Sequence, residues 1–279
     1  MVVNLTGTTW LRELRPDPDP RHVLVCFPPG GGSITAYRPL AQRFATGTAI
    51  FAVQYPGRQD RLGEPALTEF TALADHTARD LLRWPATTRI ALFGHSMGAT
   101  VAYETARRLD TAGRTPSHLF VSGRPTPSFD ETGRVHEGDD NTLIAELERL
   151  ANDPAALAVL RTEPALAELV LPAVRADYRA VETYRHTPTA PLRCPITALV
   201  STDDPTTTVA QAGEWRDFTT AGFESAVFPG RHFYLDIPET VPAVADLLAR
   251  RLTTQASPIQ EATTQTATPT RTSSSNSRG

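Results

Sequence analysis

Ile90-Ala91-Leu92-Phe93-Gly94-His95-Ser96-Met97-Gly98 sets four apolar residues directly before a Gly-x-Ser-x-Gly pentapeptide, and the run 99–109 behind it places apolar residues at helical spacing. An apolar run of that length suits a strand buried on both faces, and the pentapeptide has the spacing of a nucleophile elbow between strand and helix. The glycines let backbones pass close to a strained turn. The free N–H groups opening the new helix then point at whatever carbonyl the serine holds. Ser96 is the candidate nucleophile on this reading, and Met97, the next residue, is a candidate oxyanion donor.

Outward from the elbow, β-branched apolar runs at 22–27, 49–53, 89–93, 119–122, 196–201 and 224–228 alternate with helical patterns at 70–84, 99–109 and 241–252. That alternation predicts parallel strands crossed over by helices. The rhythm breaks between about 126 and 186, where an irregular loop and two or three helices interrupt the strands; an insertion there is expected to form a lid over one end of the sheet. Residues 1–253 are therefore read as one domain, and the Ser- and Thr-rich stretch 254–279 as a disordered tail.

A serine needs a base, and of seven histidines His232 occupies the useful position, in a turn between the last expected strand and the last expected helix. The remaining histidines, His95 included, are expected to pack or to face solvent. The orienting acid should follow a strand and precede the histidine in chain order. Ser201-Thr202-Asp203-Asp204-Pro205 meets both conditions, with Asp204 favoured over Asp203. The alternative place, after 119–122, holds Gly123-Arg124 and offers no acid. The second oxyanion donor should come from Pro28-Pro29-Gly30-Gly31-Gly32-Ser33; prolines have no N–H, so Gly30 is the first available donor and Gly31 the fallback.

Composition excludes several other chemistries. The chain has 279 residues and a net charge of -4 without long runs of one sign, which implies neither nucleic acid nor an anionic membrane as partner. All 27 basic residues are arginine, so a Walker-type phosphate loop and Schiff-base chemistry are both ruled out. The glycines at 30–32 do not have dinucleotide-binding spacing, and no cofactor or metal is expected. Cys26 and Cys194 look like reduced core thiols; with no targeting segment and no long apolar span, a cytoplasmic, soluble monomer is expected.

Taken together, the triad order and the sheet pattern resemble the α/β-hydrolase superfamily, and further motifs resemble the type II thioesterases, stand-alone editing enzymes of polyketide and nonribosomal peptide synthases. These motifs are Phe27-Pro28-Pro29-Gly30-Gly31-Gly32-Ser33, Tyr55-Pro56-Gly57-Arg58-Gln59-Asp60-Arg61, the elbow itself, Leu171-Pro172-Ala173-Val174-Arg175-Ala176-Asp177 with Glu182-Thr183-Tyr184, and Gly230-Arg231-His232-Phe233. Gly30 stands where that family usually has alanine, and Ser201 and Arg231 each replace a usual glycine. The resemblance implies a thioester hydrolase whose Ser96, His232 and Asp204 clear acyl groups from the phosphopantetheine arm of an acyl or peptidyl carrier protein. Arg175 and Arg179, near the lid entrance, would be candidate contacts to such an acidic partner. A carboxylesterase or lipase using the same triad, and a non-catalytic carrier-binding module, are the competing readings.

Overall fold

The computed structural model describes residues 10–254. Among these residues seven strands, β1 (Leu11–Arg15), β2 (His22–Phe27), β3 (Thr48–Val53), β4 (Ile90–His95), β5 (His118–Ser122), β6 (Ile196–Ser201) and β7 (Phe223–Phe228), form one sheet in the order β1-β3-β2-β4-β5-β6-β7. All pairings are parallel except β1 with β3. Six strands match the expected runs. β1 does not: the Leu-Arg-Glu-Leu-Arg edge strand is only half-buried and carries a register shift between Glu13 and Arg15, so it lacks the apolar continuity that marks the others.

Among the described residues eight α-helices connect and cover the strands: α1 (Arg38–Ala41), α2 (Phe70–Leu82), α3 (Met97–Thr111), α4 (Asp140–Leu150), α5 (Val159–Thr162), α6 (Pro164–Thr183), α7 (Val209–Gly213) and α8 (Val241–Thr254). α2 stops two residues short of the expected end and α3 begins two residues before Ala99, a shift that matters at the site. Strand period two divides the core. Val23, Val25 and Phe27 of β2 pack with α2 and α3 on one face, while Leu24 and Cys26 pack on the other face with Leu40 of α1 and Val244 and Leu248 of α8. Both cysteines are buried free thiols, raised well above the ordinary thiol range by burial.

Between β5 and β6, helices α4, α5 and α6 close a separate cluster of Leu143, Ile144, Leu160, Leu171 and Val174. The insertion thus has its own small core. The expected tail at 254–279 lies outside the described residues, apart from Thr254 at the end of α8. Among the described residues no helix is long and apolar enough to cross a membrane, and no group of ligating side chains could hold a metal ion.

Candidate active site

β4 ends at His95 and α3 begins at Met97, so Ser96 alone makes the turn, with φ 54° and ψ -126°. A residue with a Cβ costs about 1–3 kcal/mol in such a conformation and persists only where its surroundings impose it. Two hydrogen bonds do so here: the Ser96 N–H donates to the Ser122 carbonyl at 2.7 Å, and the Ser96 carbonyl accepts from the Ala99 N–H at 2.9 Å. The flanking glycines are obligatory. A Cβ on Gly94 would lie 2.2 Å from the Gly98 carbonyl oxygen, and one on Gly98 would lie 2.0 Å from that of Phe27. Because Gly98 has no side chain, the first turn of α3 abuts the end of β2, which brings the Met97 end of the helix against the loop that carries Gly30.

β7 is three strands away from β4 in the sheet order, about 14 Å at ordinary strand spacing, yet the turn after it folds back over the strand ends. His232 Nε2 comes to 2.9 Å from Ser96 Oγ, and its Nδ1 lies 3.0 and 3.1 Å from the two oxygens of Asp204. The histidine is 1% exposed and the aspartate side chain is fully enclosed. An Nδ1–H donated to Asp204 leaves Nε2 free to accept the serine proton. Burial raises the Asp204 carboxyl, but hydrogen bonds from His232 and from the Thr206 hydroxyl and N–H outweigh it and hold the group below the usual carboxylate range. Asp204 is consequently ionised at neutral pH. Asp203 is exposed, and its side chain accepts from the neighbouring Thr202 hydroxyl. Gly123, at the other place an acid could stand, has φ +56°, and a Cβ there would meet the His95 ring at 2.8 Å.

The departures at Ser201 and Arg231 meet one another: the Ser201 hydroxyl donates to the Arg231 carbonyl at 2.7 Å. Arg231 in turn donates to the Arg149 carbonyl at the end of α4, and Asn152 donates to the Phe233 carbonyl, so the histidine turn is tied to the insertion on both sides of His232.

In the glycine loop, the Gly31 N–H is already given to Asp177 Oδ2 at 2.7 Å, which removes it as a fallback oxyanion donor and leaves Gly30. Gly30 has room: a Cβ there would find Asp177 Cβ at 3.8 Å, an ordinary contact. Gly30, Ser96, Met97 and His232 all line one cavity of about 380 Å³ beneath the insertion. A second cavity of about 600 Å³ adjoins it across Gly30, Leu147 and Phe233, and is walled mainly by apolar side chains such as Leu157, Leu160, Val170 and Val174. A wider groove of about 860 Å³ runs along the C-terminal half of α3, away from the elbow, where Arg107, Arg108 and Arg193 are paired with Glu104, Asp75 and Asp110.

Three roles at the site go beyond the sequence reading. Thr206 braces the aspartate, a role that an Asp-x-Thr turn signals locally. Arg58 and Asp177 appear in motifs but only the fold brings them together, at 2.7 Å. Arg175 directs its guanidinium inward, to the His136 and Gly138 carbonyls and to Asp140 Oδ1, and so holds the insertion's loop, while Arg179 is exposed.

His95 lies behind His232, its ring centroid 5.0 Å away, with Nδ1 2.8 Å from Ser122 Oγ. Burial pushes its pKa down to about 3, with the neighbouring His232 adding to the effect, and burial likewise takes His118 down to about 4. Both are neutral in the native protein, whereas the unfolded chain takes up a proton at each near pH 6.5. Stability is expected to fall as the pH drops below 6.5, by about 2 kcal/mol per histidine at pH 5. His118 sits on β5 against Thr197, away from Ser96. His118→Gln is expected to flatten the stability slope between pH 6 and 4.5 by about 1.2 kcal/mol per pH unit. Urea titrations across that range read it, and an unchanged slope contradicts the assignment.

A mostly parallel sheet flanked by helices, with a serine elbow after a central strand, is an α/β-hydrolase fold. The thioesterase-domain family model matches residues 22–252. Over 231 residues the chain is 46% identical to a probable cadicidin biosynthesis thioesterase of Streptomyces griseus, covering 82% of this chain and 63% of that protein, so the match spans under two thirds of that relative's length. It is 40% identical to the thioesterase PikA5 of Streptomyces venezuelae, covering 84% of this chain and 83% of that one. Among solved structures, the type II thioesterase BorB from the borrelidin biosynthetic cluster superposes with a TM-score of 0.77 at 42% identity, over 87% of this chain and 97% of that one. The chain belongs to the thioesterase family and is a thioester hydrolase.

Proposed function

We propose that this thioesterase removes acyl groups from the phosphopantetheine arm of an acyl or peptidyl carrier protein in polyketide or nonribosomal peptide assembly, with Ser96, His232 and Asp204 as its triad. One observation carries the reading: the unbroken chain from Ser96 Oγ through His232 to Asp204, with links of 2.9 and 3.0 Å. In the first half-reaction His232 Nε2 takes the Ser96 proton while Oγ bonds to the acyl carbon. The carbonyl π pair moves onto oxygen, held by the Gly30 and Met97 N–H groups. Collapse restores the carbonyl and breaks the C–S bond, and the thiolate leaves with the proton from His232. A thiol with a pKa of about 8.5 needs little help to depart, so nucleophile activation and oxyanion binding are the demanding parts. In the second half-reaction water loses a proton to His232 and bonds to the acyl carbon. Collapse then expels Ser96 Oγ, which recovers that proton, and a carboxylic acid is released.

The apolar cavity beside the serine supports an acyl group, and the relatives named for cadicidin biosynthesis and the borrelidin biosynthetic cluster support a carrier-borne one. Two buried free thiols agree with a reducing, cytoplasmic setting, and we take the working unit to be a monomer whose insertion serves as the lid. Hydrolysis of an acyl-phosphopantetheinyl carrier protein beside the matched small oxygen ester tests the reading. Faster cleavage of the carrier thioester is expected; turnover of the oxygen ester alone overturns it.

A further inference from the structure

Arg58 and Asp177, 119 residues apart, form a bidentate pair with both contacts at 2.7 Å and side chains only 9% and 2% exposed. Neither touches Ser96 or His232 in the hydrogen-bond network, yet both grip the loop that carries Gly30. Asp177 Oδ2 accepts the Gly31 N–H at 2.7 Å, and Arg58 Nη1 donates to the Gly32 carbonyl at 3.1 Å. We propose that Asp177, held in place by Arg58, is a positioning residue for the oxyanion donor, so that helix α6 of the insertion sets the direction of the Gly30 N–H.

The physical case begins with three consecutive glycines, which have no side chains to restrict them and would sample many conformations if left alone. Gly31 sits at φ +70°, and the site of a Cβ on it is 3.1 Å from Val174 Cγ2, so Val174 and Asp177, one turn apart on α6, cover the loop from the same side. The peptide joining Gly30 to Gly31 is planar. Fixing the Gly31 N–H therefore fixes the Gly30 carbonyl in the same plane, and leaves only the Gly30 dihedrals between that plane and the Gly30 N–H. The carboxylate is itself immobilised because both its oxygens are taken by a planar guanidinium whose two nitrogens match them. Arg58 is presented by a tight turn in which Gly57 has φ +80°, with its Cβ position 2.8 Å from Ala66 Cβ, and Gln54 Nε2 holds the Arg58 carbonyl at 3.2 Å.

This inference rests on the reading of Ser96 as nucleophile and Gly30 as donor, and the experiment separates the two. Asp177→Asn and the charge-free double variant Asp177→Leu with Arg58→Met are compared with the wild-type full chain. Four quantities are measured: kcat and KM on an acyl N-acetylcysteamine thioester, the rate of Ser96 labelling by a fluorophosphonate whose phosphoryl oxygen occupies the oxyanion position, and Tm. The double variant leaves no buried charge unpaired, so it separates positioning from a purely structural ion pair. Both variants are expected to lose about 10- to 100-fold in kcat and in labelling rate, part of the 10²–10³ that a whole oxyanion donor is worth, with KM held within about threefold. A double variant with turnover and labelling within about threefold of wild type overturns the proposal. A wild-type protein that is labelled at Ser96 but hydrolyses no thioester defeats the substrate reading instead, and the labelling rates of the variants still decide the role of Asp177.

Discussion

Ser96→Ala is expected to abolish thioester hydrolysis, lowering kcat roughly a million-fold, to what the oxyanion donors and binding sustain alone. Removing Oγ deletes the atom 2.9 Å from His232 Nε2 and leaves the rest of the network in place. Alanine keeps the Cβ and with it the strain of φ 54°, so its Tm should match wild type. Ser96→Gly should be equally inactive yet more stable. Glycine adopts positive φ without steric cost, and after allowance for its freer unfolded chain a net gain of about 1 kcal/mol is expected, or about 2–4 °C in Tm. Steady-state kinetics and calorimetry on the two variants check both parts. An active alanine variant rules Ser96 out as the nucleophile, and a glycine variant no more stable than alanine shows the elbow to be unstrained.

Gly98→Ala carries the largest expected effect on stability. Its Cβ would lie 2.0 Å from the Phe27 carbonyl oxygen and 2.6 Å from that of Pro28. Those atoms are backbone at the end of a buried central strand, and no side-chain rotation relieves the overlap. Either α3 retreats from β2, separating Met97 from the Gly30 loop, or the domain unfolds. A loss of more than about 4 kcal/mol is expected, against a total of about 5–15 for an ordinary domain, together with loss of activity in whatever remains folded. Urea denaturation and the soluble yield measure it. An alanine variant of near-native stability would show that the helix and strand do not approach each other this closely.

The α/β architecture is legible because parallel strands covered on both faces carry apolar runs in place of alternation, as Val23–Phe27 of β2, Ile90–Phe93 of β4 and Ala198–Val200 of β6 do. β1 escapes because it is only half-buried and gives one leucine to each core cluster, and Leu11 and Leu14 among two arginines and a glutamate do not stand out. The sequence alone starts α3 late, at Ala99, because Gly98 is a poor helix former, whereas the turn at Ser96 starts the helix at Met97. The order of Ser96, Asp204 and His232 was also visible, since each follows a strand at the same end of the sheet.

What the sequence determined alone is whatever a few neighbouring residues enforce: Gly94 and Gly98 around Ser96, the prolines that leave Gly30 as the first N–H of its loop, and the strand periodicity that assigns each side chain to a face. The tertiary structure decided everything that joins distant segments. It set Asp204 against His232 and enclosed its carboxylate, while leaving that of its neighbour Asp203 exposed. It spent the Gly31 N–H on a carboxylate 146 residues away and locked that carboxylate to Arg58. It also turned Arg175 from a surface cation into a brace within the insertion. Local sterics act through bonds and can be read along the chain, whereas a buried hydrogen bond depends on which surfaces pack together, and only the assembled core brings those partners within 3 Å.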